Sequence, residues 1–121
     1  MTMKLYLMGF DTLATRRARL SGRAGFLAEG FVRAVMAVES CGRDAAEALI
    51  DTLVESGTTT HAAYRWLQDR IGDRVLVDKT PTYAQNPAAL RRAEAEFSDA
   101  FFIHLVRHPM AVVTSFTELR A

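Results

Sequence analysis

Two stretches decide how this chain folds: residues 75–84, VLVDKTPTYA, and residues 101–115, FFIHLVRHPMAVVTS. Each opens with a short apolar, β-branched or aromatic run and closes on polar punctuation, Asp78-Lys79-Thr80-Pro81 in one and Arg107-His108-Pro109 in the other. Runs of that length and bounding read as buried strands, predicted over 74–78 and 100–106. Between them Asn86-Pro87 marks a helix start, with Asn as cap and Pro in the first turn, and Leu90, Ala93 and Phe97 give that helix one apolar face. His108-Pro109 repeats the signal and opens a last helix, predicted over Met110–Arg120. Strand, helix and strand within about 32 residues form the pattern of a right-handed parallel crossover. A two-stranded parallel sheet is too small to stand alone, so the pattern implies that part of a larger sheet is missing.

Ahead of residue 74 the chain reads as helices. DTLATRRARL (11–20) is predicted helical with Asp11 as its cap, and Arg16, Arg17 and Arg19 are expected on a solvated face. Phe26–Ser40 carries Leu27, Phe31, Val35 and Val38 at helical spacing, and Cys41-Gly42 ends it. Asp44–Glu55 and Thr59–Ile71 follow, with Thr58 as a cap between them and Gly72 as the terminating residue. Trp66 falls on the apolar face of the last helix and is expected to pack in the core. The fold class is therefore α/β: one partial domain over 1–121, mainly helical over 1–73 and strand–helix–strand–helix over 74–121.

Bulk composition narrows the function. Half the residues are hydrophobic, 24% are charged, and the formal net charge is +1. Near-neutrality argues against a general nucleic-acid binder. The lone cysteine, Cys41, allows neither an internal disulfide nor a cysteine-based zinc site, and it fits a reducing cytoplasm. No run of about 18 apolar residues reads as a membrane span, and the first residues lack a secretory signal pattern. The expected location is cytoplasmic, with no membrane partner.

Chemistry is expected where the strands end. In open parallel sheets ligands bind just outside the carboxyl ends of the strands, and these two strands deliver Lys79 and Arg107 there. Arg107 also precedes a helix N-terminus, whose free amides favour an anion. Ser115 lies eight positions later, on the second turn of that helix. At about 1.5 Å per residue the helical part of the span covers ~10 Å, a distance an arginine arm partly closes. A phosphate shared by guanidinium and hydroxyl suits the pair. Taken singly, lysine or arginine at a strand end is ordinary surface charge.

VLVDKTPTYA, a helix, and FFIHLVRHPMAVVTSF together resemble the sulfotransferase superfamily, closest to bacterial members that include domains embedded in polyketide synthases. The likeness extends less specifically through FDTLATRRARL (10–20) and GTTTHAAYRWLQDRIG (57–72). The resemblance implies a partial three-layer, parallel-sheet nucleotide-binding fold, related in plan to P-loop proteins. It also implies sulfuryl transfer from 3′-phosphoadenosine 5′-phosphosulfate (PAPS) to an acceptor hydroxyl, on a small molecule or a carrier. Arg107 and Ser115 match the family's pair on the donor's 3′-phosphate, and Lys79 resembles its lysine near the transferring group. The glycine- and serine-containing 5′-phosphosulfate loop has no counterpart here, and the family's later helices are not reached. The chain is thus expected to be incomplete at both ends, with an inactive remnant or an interaction module of the same fold as the alternative.

Other readings carry less. His61, His104 and His108 are too scattered for a metal triad, and only His61 merits testing as a base. LVRHP is not the Arg-His-Gly entry of histidine phosphatases: Pro109 replaces the glycine and no later histidine follows. A nucleotide-kinase relative would need a phosphate loop that the sequence lacks. A chain lacking a central strand exposes an apolar edge, so self-association is expected.

Overall fold

The computed structural model describes residues 1–119. The chain runs β1 (Thr2–Met3), α1 (Leu13–Arg19), a 3-10 turn (Gly22–Leu27), α2 (Glu29–Glu39), α3 (Arg43–Glu55), α4 (Thr60–Ile71), β2 (Val77–Asp78), a second 3-10 turn (Pro81–Gln85), α5 (Pro87–Glu96) and α6 (Pro109–Glu118). Helices dominate around a small parallel sheet, the character of a partial α/β fold.

The sheet is not the one the sequence patterns predict. β2 forms where expected, but it pairs in parallel with β1, Thr2 opposite Val77 and Met3 opposite Asp78. The N-terminal stretch, MTMKLYLM, for which the sequence patterns predict no element, supplies both a strand and the centre of the core. Leu5 and Leu7 are fully buried, packed with Leu13, Phe31, Val35 and Leu67. The strand predicted over 100–106 does not form: residues 101–108 carry no regular secondary structure and are exposed throughout. Its apolar sequence is right for a strand, but a strand is held by a neighbour's free backbone groups. Among the described residues the only sheet is the two-residue β1–β2 ladder, and no backbone hydrogen bond joins residues 100–106 to it.

The helices follow their signals closely. Thr12, not Asp11, caps α1, its Oγ1 accepting from the Thr15 amide at 3.1 Å. Thr59, one residue beyond the predicted Thr58, does the same for α4 with the Ala62 amide. Asn86 Oδ1 accepts from the Ala89 amide at 3.2 Å ahead of Pro87, and His108 Nδ1 accepts from the Met110 amide at 3.2 Å ahead of Pro109. Gly72 closes α4 at φ +63°, a conformation that favours glycine. The helix predicted from Phe26 is a 3-10 turn first and becomes α-helical only at Glu29. Arg120, the predicted last residue of α6, lies outside the described residues.

α2 lies almost on the backbone that follows β1. A Cβ placed on Gly30 would sit 1.9 Å from the Lys4 carbonyl oxygen. Only glycine allows that approach, which brings Phe31, Ala34 and Val35 onto Leu5 and Leu7. Trp66 is half-buried against the core as expected, and the Arg70 guanidinium covers its ring at 3.7 Å from the centroid. No helix among the described residues is long and apolar enough to cross a membrane.

Candidate functional site

In the DKTPTYA motif Asp78, Thr80 and Tyr83 face inward, while Lys79 is exposed, as are Pro81, Thr82 and Ala84. Asp78 turns its carboxylate into the protein. Its Oδ1 accepts from the Leu5 amide at 2.9 Å and from Thr80 Oγ1 at 2.6 Å, and its Oδ2 accepts from the hydroxyls of Tyr83 (2.8 Å) and Tyr64. Thr80 Oγ1 in turn accepts from the Tyr6 amide at 3.1 Å, and Tyr83 Oη accepts from the amides of Leu7 (2.8 Å) and Met8 (3.0 Å). Every amide from residue 5 to residue 8 is thereby held by a side chain from the β2 exit.

The carbonyls of the same segment are held from the other side. Arg16 donates to the Leu5 carbonyl through Nη2 at 2.7 Å and to the Tyr6 carbonyl through Nε at 3.1 Å. It is only 4% exposed, which corrects the expectation of a solvated face for Arg16; Arg17 and Arg19 are exposed as predicted. Burial lowers its pKa to about 10, against the raising influence of Tyr83, Asp78 and Tyr64, so it stays charged at neutral pH. Burial also pushes both phenols, Tyr64 and Tyr83, above the ordinary tyrosine range, and the adjacent Asp78 carboxylate adds to the rise. Clamped from both sides, the segment turns at Tyr6, whose φ of +53° is costly for any residue with a side chain.

That turn brings the residues after the two strands to one surface. Thr2, Met3, Lys4 and Tyr6 from the β1 side, Lys79 from the β2 side, and Phe26, Leu27, Glu29, Gly30 and Arg33 line an open groove of ≈ 820 Å³. β1 and β2 run parallel, so their carboxyl ends share one edge, and Lys4 and Lys79 each follow one of those ends. The Lys79 amide donates to the Met3 carbonyl at 2.7 Å, while its residue is exposed to solvent. Glu29 accepts from Arg43 and from Arg33 (3.1 Å), and these bonds, Arg43's first, hold its carboxyl below the usual range. Its charge is met by those two arginines. Neither lysine makes an ion pair among the described residues, so the groove has a cationic edge beside an apolar wall of Met3, Phe26 and Leu27.

Arg107 and Ser115 lie on a different element. Arg107 is exposed, immediately before the His108 cap of α6, and Ser115 is half-buried on the second turn of that helix. The structure therefore brings Lys79 together with Lys4 and Arg33, and leaves Arg107 on the irregular segment before α6 and Ser115 on the helix itself. Lys4 and Arg33 were not singled out from sequence, since one precedes the core leucines and the other is an ordinary polar position on α2. His61 packs edge-on against Phe97, ring centroids 4.8 Å apart, a half-buried packing role. No group of three or more His, Cys, Asp or Glu residues among the described ones could hold a metal ion.

A family model described as "Sulfotransferase family" matches residues 8–121. Among solved structures, the sulfotransferase domain of the Synechococcus PCC 7002 olefin synthase is 38% identical, with a TM-score of 0.89 over 97% of this chain and 42% of that domain's chain. The sulfotransferase domain from the curacin biosynthetic pathway is likewise 38% identical, with a TM-score of 0.88 over 98% of this chain and 41% of its own. The chain thus spans about two fifths of the length of either structure. No curated protein matches it.

Proposed function

The chain belongs to the sulfotransferase family, and on that premise we propose that it forms part of an enzyme moving a sulfuryl group from PAPS to an acceptor hydroxyl. The acceptor oxygen attacks sulfur, the bond from sulfur to the 5′-phosphate oxygen breaks with its electron pair, and the hydroxyl proton leaves to a base. Lys79 is the catalytic residue assigned to the leaving oxygen, where a fixed cation is worth most as charge develops. Arg107 and Ser115 anchor the donor's 3′-phosphate, a forked cation with a short neutral donor at the start of α6. The acceptor is a hydroxyl on a small molecule or on a carrier. Relatives from an olefin synthase and from the curacin pathway support a biosynthetic setting.

The observation that carries this reading is the position of Lys79: exposed, free of ion pairs among the described residues, and at the carboxyl edge of the β1–β2 ladder on an open cationic groove. The decisive test is calorimetry with 3′-phosphoadenosine 5′-phosphate on a form carrying a complete sulfotransferase domain. Arg107→Ala is expected to weaken binding at least tenfold, and an unchanged affinity overturns the assignment. A second reading is a non-enzymatic module, motivated by the lack of a glycine- and serine-containing phosphosulfate loop within these 121 residues. Sulfate transfer by the 121-residue chain alone, followed with labelled donor, would exclude it.

A further inference from the structure

A cavity of ≈ 240 Å³ is lined by α1, α2 and α3, and it shares no residue with the Lys4–Lys79 groove. Its buried lining is apolar: Leu13, Leu20, Phe31 and Ile50 are each more than nine-tenths buried. One charge stands among them. Arg16, 4% exposed, lines the same space. Its Nε and Nη2 donate to the carbonyls of Leu5, Tyr6 and Ala28, while Nη1 donates to no acceptor among the described residues. The one side-chain atom among them that is both sealed from solvent and unpartnered is Glu96 Oε2. Arg16 Nη1 is therefore unpartnered but not sealed, and the cavity is open space that Arg16 lines.

That guanidinium also lacks a carboxylate. Arg16 makes no ion pair among the described residues. Asp78, whose charge reaches it, is already held by the Leu5 amide and the hydroxyls of Thr80, Tyr64 and Tyr83. The exposed charges that line the cavity are paired with other residues: Arg17 with Asp51, and Glu47 with Arg43. A buried cation with free N–H groups beside an apolar space suits a carboxylate joined to an apolar body, which meets the charge and fills the space together. A cavity of ~150 Å³ lined by Leu, Ile and Phe takes benzene, so this one has room for a ring that bears a carboxylate. We propose that the cavity between α1, α2 and α3 is a binding site for a small free monocarboxylate with an apolar body. The carboxylate pairs with Arg16 through Nη1, and the body lies against Phe31 and Ile50. The inference rests on Arg16 and its surroundings and not on the sulfotransfer reading.

The probe is benzoate, titrated into the 121-residue chain by calorimetry and followed by amide chemical shifts. A dissociation constant below about 1 mM is expected, within reach of a ligand of that size, with shifts at residues of α1, α2 and α3. Benzyl alcohol keeps the ring without the charge, and acetate keeps the charge without the ring. Each is expected to bind at least about tenfold more weakly. Absence of saturable benzoate binding overturns the proposal, as does equal binding of benzyl alcohol, or shifts confined to the Lys4–Lys79 groove. Arg16→Met is expected to abolish binding, but it also removes the clamp on residues 5 and 6. Val54→Trp is the second variant: it fills the cavity from a half-buried position and leaves the Arg16 hydrogen bonds in place. Benzoate affinity is expected to be lost in Val54→Trp, and an unchanged affinity overturns the assignment. Arg17→Ala combined with Asp51→Ala removes the exposed ion pair at the cavity and is expected to change affinity by less than about threefold. Abolished binding in that double variant puts the anion on the surface and overturns the proposal. Every readout is binding rather than activity, so failure here is distinguishable from failure of the sulfotransfer reading.

Discussion

The Tyr83 hydroxyl donates to Asp78 Oδ2 at 2.8 Å while accepting the amides of Leu7 and Met8 at 2.8 and 3.0 Å. One phenol oxygen thus couples the exit of β2 to the chain leaving β1, and that coupling holds Lys4 and Lys79 on one groove. Tyr83→Phe keeps the ring and removes the oxygen, orphaning two amides and one carboxylate donor. The expected cost is about 2 kcal/mol by denaturant titration. A change below about 0.5 kcal/mol would mean that water replaces the hydroxyl.

The same variant carries a pH signature. Burial raises the Tyr83 pKa, so the unfolded chain loses that proton first. The contribution is therefore fully present below the unfolded tyrosine value of about 10 and falls as pH rises past it. Measured between pH 8 and pH 11, the stability gap between wild type and Tyr83→Phe is expected to shrink. A gap that widens with pH contradicts the assigned environment.

Arg16 is a structural cation rather than a surface one. Arg16→Met is expected to cost about 3 kcal/mol, because it leaves the Leu5 and Tyr6 carbonyls without their donor. Arg16→Lys should recover only part of this, since an ammonium cannot present the guanidinium's fork to two carbonyls while facing the Phe31 ring at 5.2 Å. Full rescue by lysine in chemical denaturation would show that charge alone matters.

Gly30→Ala tests the contact between α2 and the backbone at Lys4. The added Cβ meets the carbonyl oxygen at 1.9 Å, and backbone cannot rotate away as a side chain would. A loss of about 3 kcal/mol or more is expected from overpacking, although alanine is the better helix former. Gly9→Ala is the control, with nothing within 4 Å of its Cβ, and should stay within about 0.5 kcal/mol. Calorimetric melting of both variants decides the point.

Lys79→Ala separates stability from chemistry. The side chain is exposed and makes no ion pair among the described residues, so melting should shift by less than ~1 °C. In a form carrying a complete domain, kcat is expected to fall about a hundredfold with little change in KM, the signature of a contact made in the transition state. An equal loss in Lys4→Ala would extend the role to both groove lysines, and unchanged kcat in Lys79→Ala removes it from the chemistry.

The sequence alone determined what local chemistry controls. Asn86-Pro87 and His108-Pro109 start helices because a side-chain acceptor and a proline satisfy a first turn wherever they occur. The DKTPTYA and arginine–serine stretches place the chain in its family for the same reason, as types at fixed local spacing. Tertiary structure alone decided the rest. β1, the inward turn of Asp78, the burial of Arg16 and the meeting of Lys4 with Lys79 depend on bonds such as Leu5–Asp78 and Leu7–Tyr83, which span 73 and 76 residues. Residues 101–106 show the same division from the other side: their apolar, β-branched pattern is that of a strand, but a strand also needs a neighbour's free edge, and only the assembled structure shows whether one is present.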